Sequence, residues 1–181
     1  GLAVVLVGRP NVGKSSLLNQ LAGAEVAIVT PIAGTTRDAV RSQVEIHGIP
    51  LTIVDTAGLR PTDDPTETLG IERTWSAVAR ADVALVLVDA AAGGGITEED
   101  AAILAQMPDA LRRLVVHNKI DLAGLAPAAD SRLAPARAGA PVRVDRHVFL
   151  SAKTGAGVEI LRQEILGVAG AHEDMEGALL A

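Results

Sequence analysis

The segment Gly8-Arg-Pro-Asn-Val-Gly-Lys-Ser-Ser16 has the residue types and spacing that bind a chain of phosphates. Its glycines let the backbone curl, so that successive N–H groups face phosphate oxygens, and a following helix would add the positive end of its dipole. The segment follows an apolar run, Leu2 to Val7, and opens a helical pattern, as this chemistry requires. Lys14 can reach the β- and γ-phosphates, and the Ser15 hydroxyl can ligate Mg²⁺. The predicted phosphate-binding residues are Asn11, Val12, Gly13, Lys14, Ser15 and Ser16.

Two later segments carry groups that could act on the same phosphates. Gly34-Thr-Thr-Arg-Asp38 lies in a polar stretch, where a threonine hydroxyl could complete the coordination of Mg²⁺. Asp55-Thr-Ala-Gly58 follows an apolar strand, so its carboxylate could hold the metal through water while the Gly58 N–H bonds the γ-phosphate. Gain or loss of that phosphate would then order or release the loop. The residues assigned here are Gly34, Thr35, Thr36, Asp55, Thr56, Ala57 and Gly58.

Two further segments could recognise guanine. Asn118-Lys-Ile-Asp121 follows the apolar run Leu111 to Val116. The Asp121 carboxylate can accept bonds from guanine N1–H and the 2-amino group, which adenine cannot supply, so ATP would leave the charge unpaired. The Lys119 stem can lie along the base, and Ser151-Ala-Lys153 can offer a backbone N–H to guanine O6. The predicted base-binding residues are Asn118, Lys119, Ile120, Asp121, Ser151, Ala152 and Lys153.

The distribution of lysine supports a single nucleotide site. Only three of the sixteen basic residues are lysines, at positions 14, 119 and 153, and each lies in one of these segments. A lysine ammonium is a compact point charge that arginine does not replace. Each segment alone has an ordinary explanation, because Asn-Lys-x-Asp is often a surface turn and Gly-Thr-Thr is usually a loop. Their order along one chain favours a nucleotide site over coincidence.

The composition narrows the classes of protein to consider. The 181 residues suit one domain with a single core, built from aliphatic side chains because the chain has one tryptophan and one phenylalanine. The absence of cysteine excludes disulfides and thiolate metal sites and suits a cytoplasmic location. A net charge of −6 without a basic stripe argues against nucleic-acid binding by this chain alone. Since no apolar run approaches about 20 residues, no membrane contact is expected.

Apolar strands alternate with helical patterns along the chain. This alternation predicts an α/β fold with a mostly parallel central sheet, one antiparallel edge strand from the hairpin at 47–50, and helices on both faces. The segments above then fall at the carboxyl ends of strands, where open α/β sheets bind ligands. Residues 55–69 are expected to form a loop, and 122–146 an irregular connection with little helix. Residues 1–168 are predicted to form the domain, and 169–181 a linker or tail.

The five segments resemble those of Era- and Der-like GTPases, which are P-loop proteins with a Ras-like G domain. The details are most similar to the MnmE family of tRNA-modification GTPases, over about residues 1–167. Der-like proteins share the first loop and Thr-Thr-Arg-Asp, so Ala27–Ile32 and Glu67–Arg73 discriminate between the families. The resemblance implies binding of GTP and GDP, hydrolysis of GTP, and Mg²⁺ held by Ser15 and Thr36. It also extends the nucleotide site to Thr30, Pro31, Ile32 and Ala33.

The sequence lacks one expected catalytic group. Leu59 follows Asp-x-x-Gly, where many GTPases carry a glutamine that orients the attacking water, and no arginine is singled out as a finger. The resemblance implies that Glu67 orients the attacking water. Without the resemblance, Glu67 is better explained as an exposed acidic loop residue. The resemblance further implies a K⁺ ion that neutralises developing charge in place of an arginine. Its ligands would be Asn11, Thr30, Ile32 and Thr35.

The resemblance also implies partners. Two copies would pair through their G domains, as a homodimer in the transition-state-like form. The folate-binding and helical domains of the family are absent from this sequence, so tRNA and an MnmG-type partner are expected only through the full-length protein. Two alternatives remain: a Der- or Era-like ribosome-assembly GTPase, which a basic RNA-binding appendage would favour, and a nucleotide-binding scaffold without useful catalysis, as the missing glutamine suggests.

Overall fold

The computed structural model describes residues 2–9, 12–22, 41–46, 48–55, 63–92, 96–130 and 144–180, in which strands and helices alternate. The strands are β1 (Leu2–Gly8), β2 (Arg41–Ile46), β3 (Ile49–Asp55), β4 (Val83–Asp89), β5 (Arg112–Asn118), β6 (Ala128–Asp130) and β7 (Arg146–Phe149). The helices are α1 (Lys14–Ala22), α2 (Pro65–Ala79), α3 (Glu98–Ala105), α4 (Ile120–Ala123) and α5 (Val158–Leu180).

The described strands form one sheet in the order β2-β3-β1-β4-β5-β7-β6. The five central strands are parallel, and β2 pairs antiparallel with β3 through the hairpin that turns at Gly48, whose φ is +81°. The predicted mostly parallel sheet with an antiparallel edge is therefore confirmed. The structure adds the short strand β6, which pairs antiparallel with β7 at the opposite edge. Its Ala-Ala-Asp sequence has no β-branched or alternating pattern that would have indicated a strand.

Alternate residues of each central strand pack on opposite faces of the sheet. In β1, Val4 and Leu6 join the cluster formed with α1 and α5, whereas Val5 and Val7 join the cluster that contains Val78 of α2 and side chains of α3. Burial on both faces explains why the central strands are continuously apolar. The predicted placement of helices on both faces is confirmed, and the rigid sheet fixes the loops at its edge.

Helix α2 begins earlier than the sequence indicated. It starts at Pro65, with Thr68 N–H donating to the Asp64 carbonyl at 2.9 Å, so the expected loop 55–69 is wrong for its last five residues. Proline suits the first helical position because its fixed φ fits the helix and its missing N–H would have no partner there. As a consequence, Glu67 lies in the first turn of α2.

The chain beyond residue 168 continues as helix. α5 runs to Leu180, and Ala169 is buried in the core, so the final segment prolongs the last helix of the domain. The domain boundary at residue 168 stays a prediction. Among the described residues, none of the helices combines the length and apolar character needed to cross a membrane.

Candidate functional site

The carboxyl ends of four neighbouring strands bring the predicted segments to one edge of the sheet. Gly8, Asp55, Asp89 and Asn118 are the last residues of β1, β3, β4 and β5. The strand register aligns these ends, since Asp55 pairs with Leu6 and Asp89 pairs with Asn118. Parallel strands thus place the phosphate, metal and base segments side by side, as the sequence predicted.

The phosphate segment requires glycine at position 13. Gly13 has φ +99°, and a Cβ there would collide with Nδ2 of Asn118. Its carbonyl accepts the N–H of Leu17 at 3.0 Å, which starts α1. Lys14 Nζ donates to the Gly8 carbonyl at 2.9 Å, so the ammonium group lies inside the turn of the loop. This position matches the predicted contact with phosphate oxygens.

Asn118 holds two other loops together. Its side chain is buried; Nδ2 donates to the Val12 carbonyl at 2.8 Å, and Oδ1 accepts the Ala152 N–H at 2.9 Å. A buried amide with donors and acceptors satisfied in this way fixes the distance between the phosphate loop and the loop that follows β7. The structure therefore gives Asn118 a positioning role between the predicted phosphate and base segments.

Lys119 is held in a strained conformation by Asp89. Its φ is +68°, the one positive value at a non-glycine residue in the described part of the chain, which costs about 1–3 kcal/mol. Lys119 Nζ lies 2.9 Å from Asp89 Oδ2. Burial raises the pKa of the Asp89 carboxyl, but the hydrogen bonds from Lys119 and the Ala91 N–H outweigh it and hold the pKa below its ordinary value. The lysine stem is thus fixed at the edge where the base is predicted to lie.

Asp121 has its carboxylate free for a ligand. It lies in the first turn of α4 and is exposed, and within the described ranges nothing donates a hydrogen bond to its side chain. Ile120, its neighbour, is buried and donates its N–H to the Leu150 carbonyl, which anchors the turn against β7. This arrangement leaves Asp121 anchored at its backbone and open at its carboxylate, as base recognition needs.

Among the described residues, the Ser151–Lys153 segment has one N–H without an acceptor. Ser151 is buried; its N–H donates to Ala156 and its hydroxyl accepts the Thr154 N–H. The Ala152 N–H is used by Asn118. Within the described residues the Lys153 N–H has no acceptor, so it is the group of the predicted Ser151–Lys153 segment that can bind O6.

Several predicted site residues lie outside the described residues, and the potassium site is among them. For Asp55 and Glu67 the structure places only the backbone, at the end of β3 and in the first turn of α2. The roles of these residues stay predictions. The predicted residues outside the described ranges are Asn11, Thr30, Pro31, Ile32, Ala33, Gly34, Thr35, Thr36, Thr56, Ala57 and Gly58.

Two residues predicted to hold magnesium, Ser15 and Asp55, have their backbones at the same edge of the sheet. Ser15 is exposed in the first turn of α1, directly after Lys14. Asp55 ends the strand beside β1, two register positions before Gly8. A hydroxyl and a carboxylate are the hard oxygen donors that Mg²⁺ takes, together with water and phosphate oxygens.

Two further residues near the site, Arg9 and Asp89, were not among the predicted site residues. Arg9 places Nε 3.7 Å from Oδ1 of the buried Asp100. Asp100 also accepts the Thr97 N–H in the capping box that starts α3. Asp89 lies in no sequence motif. Its position at the end of a buried apolar run is the one sequence feature that points to the site.

Two buried histidines lie behind the base segment. His117 Nε2 and His147 Nδ1 are 2.9 Å apart, and His117 stacks on Phe149 with ring centroids 4.4 Å apart. Burial, followed by the charge of His147, lowers the pKa of His117 from 6.5 to about 4. Burial also lowers the pKa of His147, although Asp130 acts in the opposite direction. Both rings are therefore neutral in the folded protein near pH 7.

We expect this pair to make folding sensitive to acid. Below about pH 6.5 the unfolded chain binds protons that the folded chain does not bind until about pH 4, so stability falls across this window. For His117 the loss is about 2 kcal/mol at pH 5 and approaches about 3 kcal/mol below pH 4. Urea unfolding at pH 7.5 and pH 5 should show it, and His117→Gln should reduce the difference. Equal losses in the variant and the unmodified chain would contradict this assignment.

Comparison with known proteins agrees with this geometry. The family model described as "50S ribosome-binding GTPase" matches residues 3–119. A protein from Thiobacillus denitrificans named tRNA modification GTPase MnmE is 56% identical over 181 residues, covering 100% of this chain and 37% of that protein. Its namesake from Laribacter hongkongensis is 55% identical, with coverage of 100% and 38%. The chain thus spans somewhat over a third of the curated relatives that it matches.

Solved structures show the same fold. A variant of Aquifex aeolicus Era bound to GDP and AlF4⁻ superposes with a TM-score of 0.66 at 32% identity, covering 92% of this chain and 56% of Era. The G domain of the Thermotoga maritima FeoB iron transporter has a TM-score of 0.61 at 23% identity, covering 93% and 98%. The FeoB likeness supports the fold alone.

Proposed function

The chain belongs to the family of 50S ribosome-binding GTPases, and from this premise we propose that it is the G domain of an MnmE-type tRNA-modification protein, which hydrolyses GTP to GDP and phosphate with Mg²⁺ and K⁺. As a member of this family the chain is a GTP hydrolase. The role in tRNA modification rests on the names of relatives that match its entire length.

The pair of hydrogen bonds made by the Asn118 side chain is the observation that carries the proposal. It joins the phosphate loop at Val12 to the base loop at Ala152, so one buried side chain sets the span between the two ends of a nucleotide. Among the described residues nothing bonds to the Asp121 carboxylate or the Lys153 N–H, so Asp121 can accept from the donors of guanine and the Lys153 N–H can donate to O6. An adenine nucleotide would match neither, because its 6-amino group would oppose an N–H and its N1 would oppose a carboxylate.

The chain's own groups account for the steps of hydrolysis. Lys14 and the N–H groups before α1 stabilise negative charge on the transferred phosphoryl group, and Ser15 with Thr36 and Asp55 holds Mg²⁺. Glu67 orients the attacking water, a role for which the position after Asp-x-x-Gly, Leu59, has no suitable group. Asn11, Thr30, Ile32 and Thr35 hold K⁺, which supplies positive charge near the phosphates when bound.

The partners and location follow from the same proposal. Two copies pair through their G domains in the transition-state-like form, and the longer protein engages tRNA and an MnmG-type partner in the cytoplasm. A ribosome-assembly role is the second candidate, because Era in complex with MgGDPNP and a 16S rRNA fragment also superposes, with a TM-score of 0.65 at 32% identity. The higher identity to the MnmE proteins, 56% over the whole chain, favours the first.

The base contact gives the test of the function. Asp121→Asn should weaken GTP binding by roughly tenfold to a hundredfold, because the hydrogen bonds to a charged acceptor are lost. Binding of xanthosine triphosphate should improve, since xanthine keeps the N1–H donor but has a carbonyl oxygen at position 2, to which the introduced amide can donate. Competition titrations with GTP, xanthosine triphosphate and ATP measure both effects.

An acidic residue outside the site provides the control. Asp109→Asn changes an exposed carboxylate in the turn before β5 and should leave all three affinities unchanged. If the unmodified chain bound ATP and GTP equally well, the assignment of Asp121 would be wrong, and with it the proposed function.

A further inference from the structure

A hydrogen bond from α1 reaches the base loop at a place that no sequence motif indicated. Gln20, near the end of α1, donates from Nε2 to the Ala152 carbonyl at 2.9 Å. The two residues are 132 positions apart in sequence. Within the described residues, Ala152 and Ser151 otherwise make hydrogen bonds only with Asn118 and with residues of their own loop. Gln20 therefore connects this loop to α1, the helix that follows the phosphate segment.

The bond fixes more than the carbonyl that accepts it. The Ala152 carbonyl and the Lys153 N–H belong to one peptide unit, which is trans and planar, so the two groups point in opposite directions. Because Gln20 draws the carbonyl toward α1, the Lys153 N–H points away from α1. Of the Ser151–Lys153 segment, this is the N–H without an acceptor among the described residues, and its direction is set by a side chain outside the predicted nucleotide contacts.

We propose that Gln20 is a positioning residue for guanine recognition, which orients the Ala152–Lys153 peptide so that the Lys153 N–H meets guanine O6. The inference rests on the base site of the proposed function and adds a specificity-determining residue to it. Loss of the Gln20 donor leaves the peptide free to rotate, and the contact with O6 weakens while the contact of Asp121 with the other edge of the base is kept.

Gln20 is itself held in place. Its carbonyl accepts a hydrogen bond from Arg162 Nη2 of α5, and Arg162 Nη1 pairs with Glu159 at 3.1 Å. The last four carbonyls of a helix have no partner within the helix, so Arg162 satisfies one that α1 leaves open. Gly155 lies beside the Gln20 side chain, where a Cβ would be 3.5 Å from Oε1. The amide therefore works from a fixed position between α5 and the base loop.

The test compares nucleotides that differ at single edges of the base. Gln20→Met removes the donor without adding charge, and Gln20→Glu keeps the shape but replaces the donor with an acceptor. We expect affinity for GDP to fall roughly threefold to tenfold in both variants. Affinity for 6-thioguanosine diphosphate, whose sulfur is a poor acceptor, should fall less, so the preference for oxygen at position 6 shrinks. The preference for GDP over inosine diphosphate, which lacks the 2-amino group, should stay unchanged.

Gln106 provides a matched control. It caps the carboxyl end of α3, and its Nε2 donates to the Ala102 carbonyl at 3.3 Å, away from the base loop. Gln106→Met and Gln106→Glu should leave all three affinities unchanged. Equal weakening of GDP and 6-thioguanosine diphosphate in the Gln20 variants, or no weakening of either, would overturn the inference. An unmodified chain without preference for GDP over ADP would instead refute the proposed base site.

Discussion

Replacing Asn11 with alanine should abolish the response of the chain to potassium while GTP still binds. In the proposed mechanism K⁺ would neutralise developing charge as an arginine finger does, and an arginine finger contributes roughly 10³ or more to turnover. Asn11 directly precedes Val12, whose carbonyl accepts a hydrogen bond from Asn118, and is the proposed ion ligand from the phosphate segment. The others, Thr30, Ile32 and Thr35, come from a separate segment, which the ion would order only when phosphates are present.

Ordering of these segments should also control pairing. With GDP and aluminium fluoride, which mimic the transferring phosphoryl group, light scattering should show a dimer in potassium and a monomer in sodium. Asn11→Ala should give a monomer in both salts. Asn19→Ala, at an exposed position of α1, is the matched control and should pair as the unmodified chain does. A dimer that forms equally well in sodium would show that pairing does not depend on potassium and would contradict this prediction.

Replacing Glu67 with alanine should separate binding from chemistry. A residue that orients the attacking water acts in the transition state, so Glu67→Ala should lower turnover by on the order of 10² or more and leave nucleotide affinity nearly unchanged. Its place in the first turn of α2 puts it on a regular element, which holds a side chain more firmly than a loop. Single-turnover hydrolysis and equilibrium binding of GTP measure the two effects.

Two comparisons make the result for Glu67 specific. Glu72→Ala, at an exposed position of α2, should leave both turnover and affinity unchanged. Lys14→Ala should lose affinity, because Lys14 contacts phosphate in the ground state as well. Normal turnover by the Glu67→Ala protein would remove Glu67 from the mechanism and leave the water without an orienting group.

The parts of the site that follow strands were predictable from sequence. Burial on both faces makes the central strands continuous apolar runs. Each run leads into a segment of the predicted site, which begins at Gly8 after β1 and at Asn118 after β5. The order of the strands then places these groups at one edge. Asn118, Lys119 and Asp121 were assigned in this way, and their placement is consistent with the assignment.

The contacts that connect these segments were not predictable. Gln20 meets Ala152 across 132 residues, and Asp89 meets Lys119 only because β4 and β5 are neighbours. Such pairs depend on the folded geometry of two elements, and neither residue type nor local spacing marks them. The early start of α2 at Pro65 has a different cause, because proline is common in loops and also fits the first position of a helix, so the residue type does not separate the two.

The most direct test of the proposed function is phosphate release by the unmodified chain, measured with GTP and with ATP in potassium and in sodium at equal ionic strength. We expect hydrolysis of GTP that is faster in potassium by a large factor, and no significant hydrolysis of ATP in either salt. Equal rates with GTP in the two salts, or equal rates with GTP and ATP, would contradict a potassium-activated, guanine-specific GTPase.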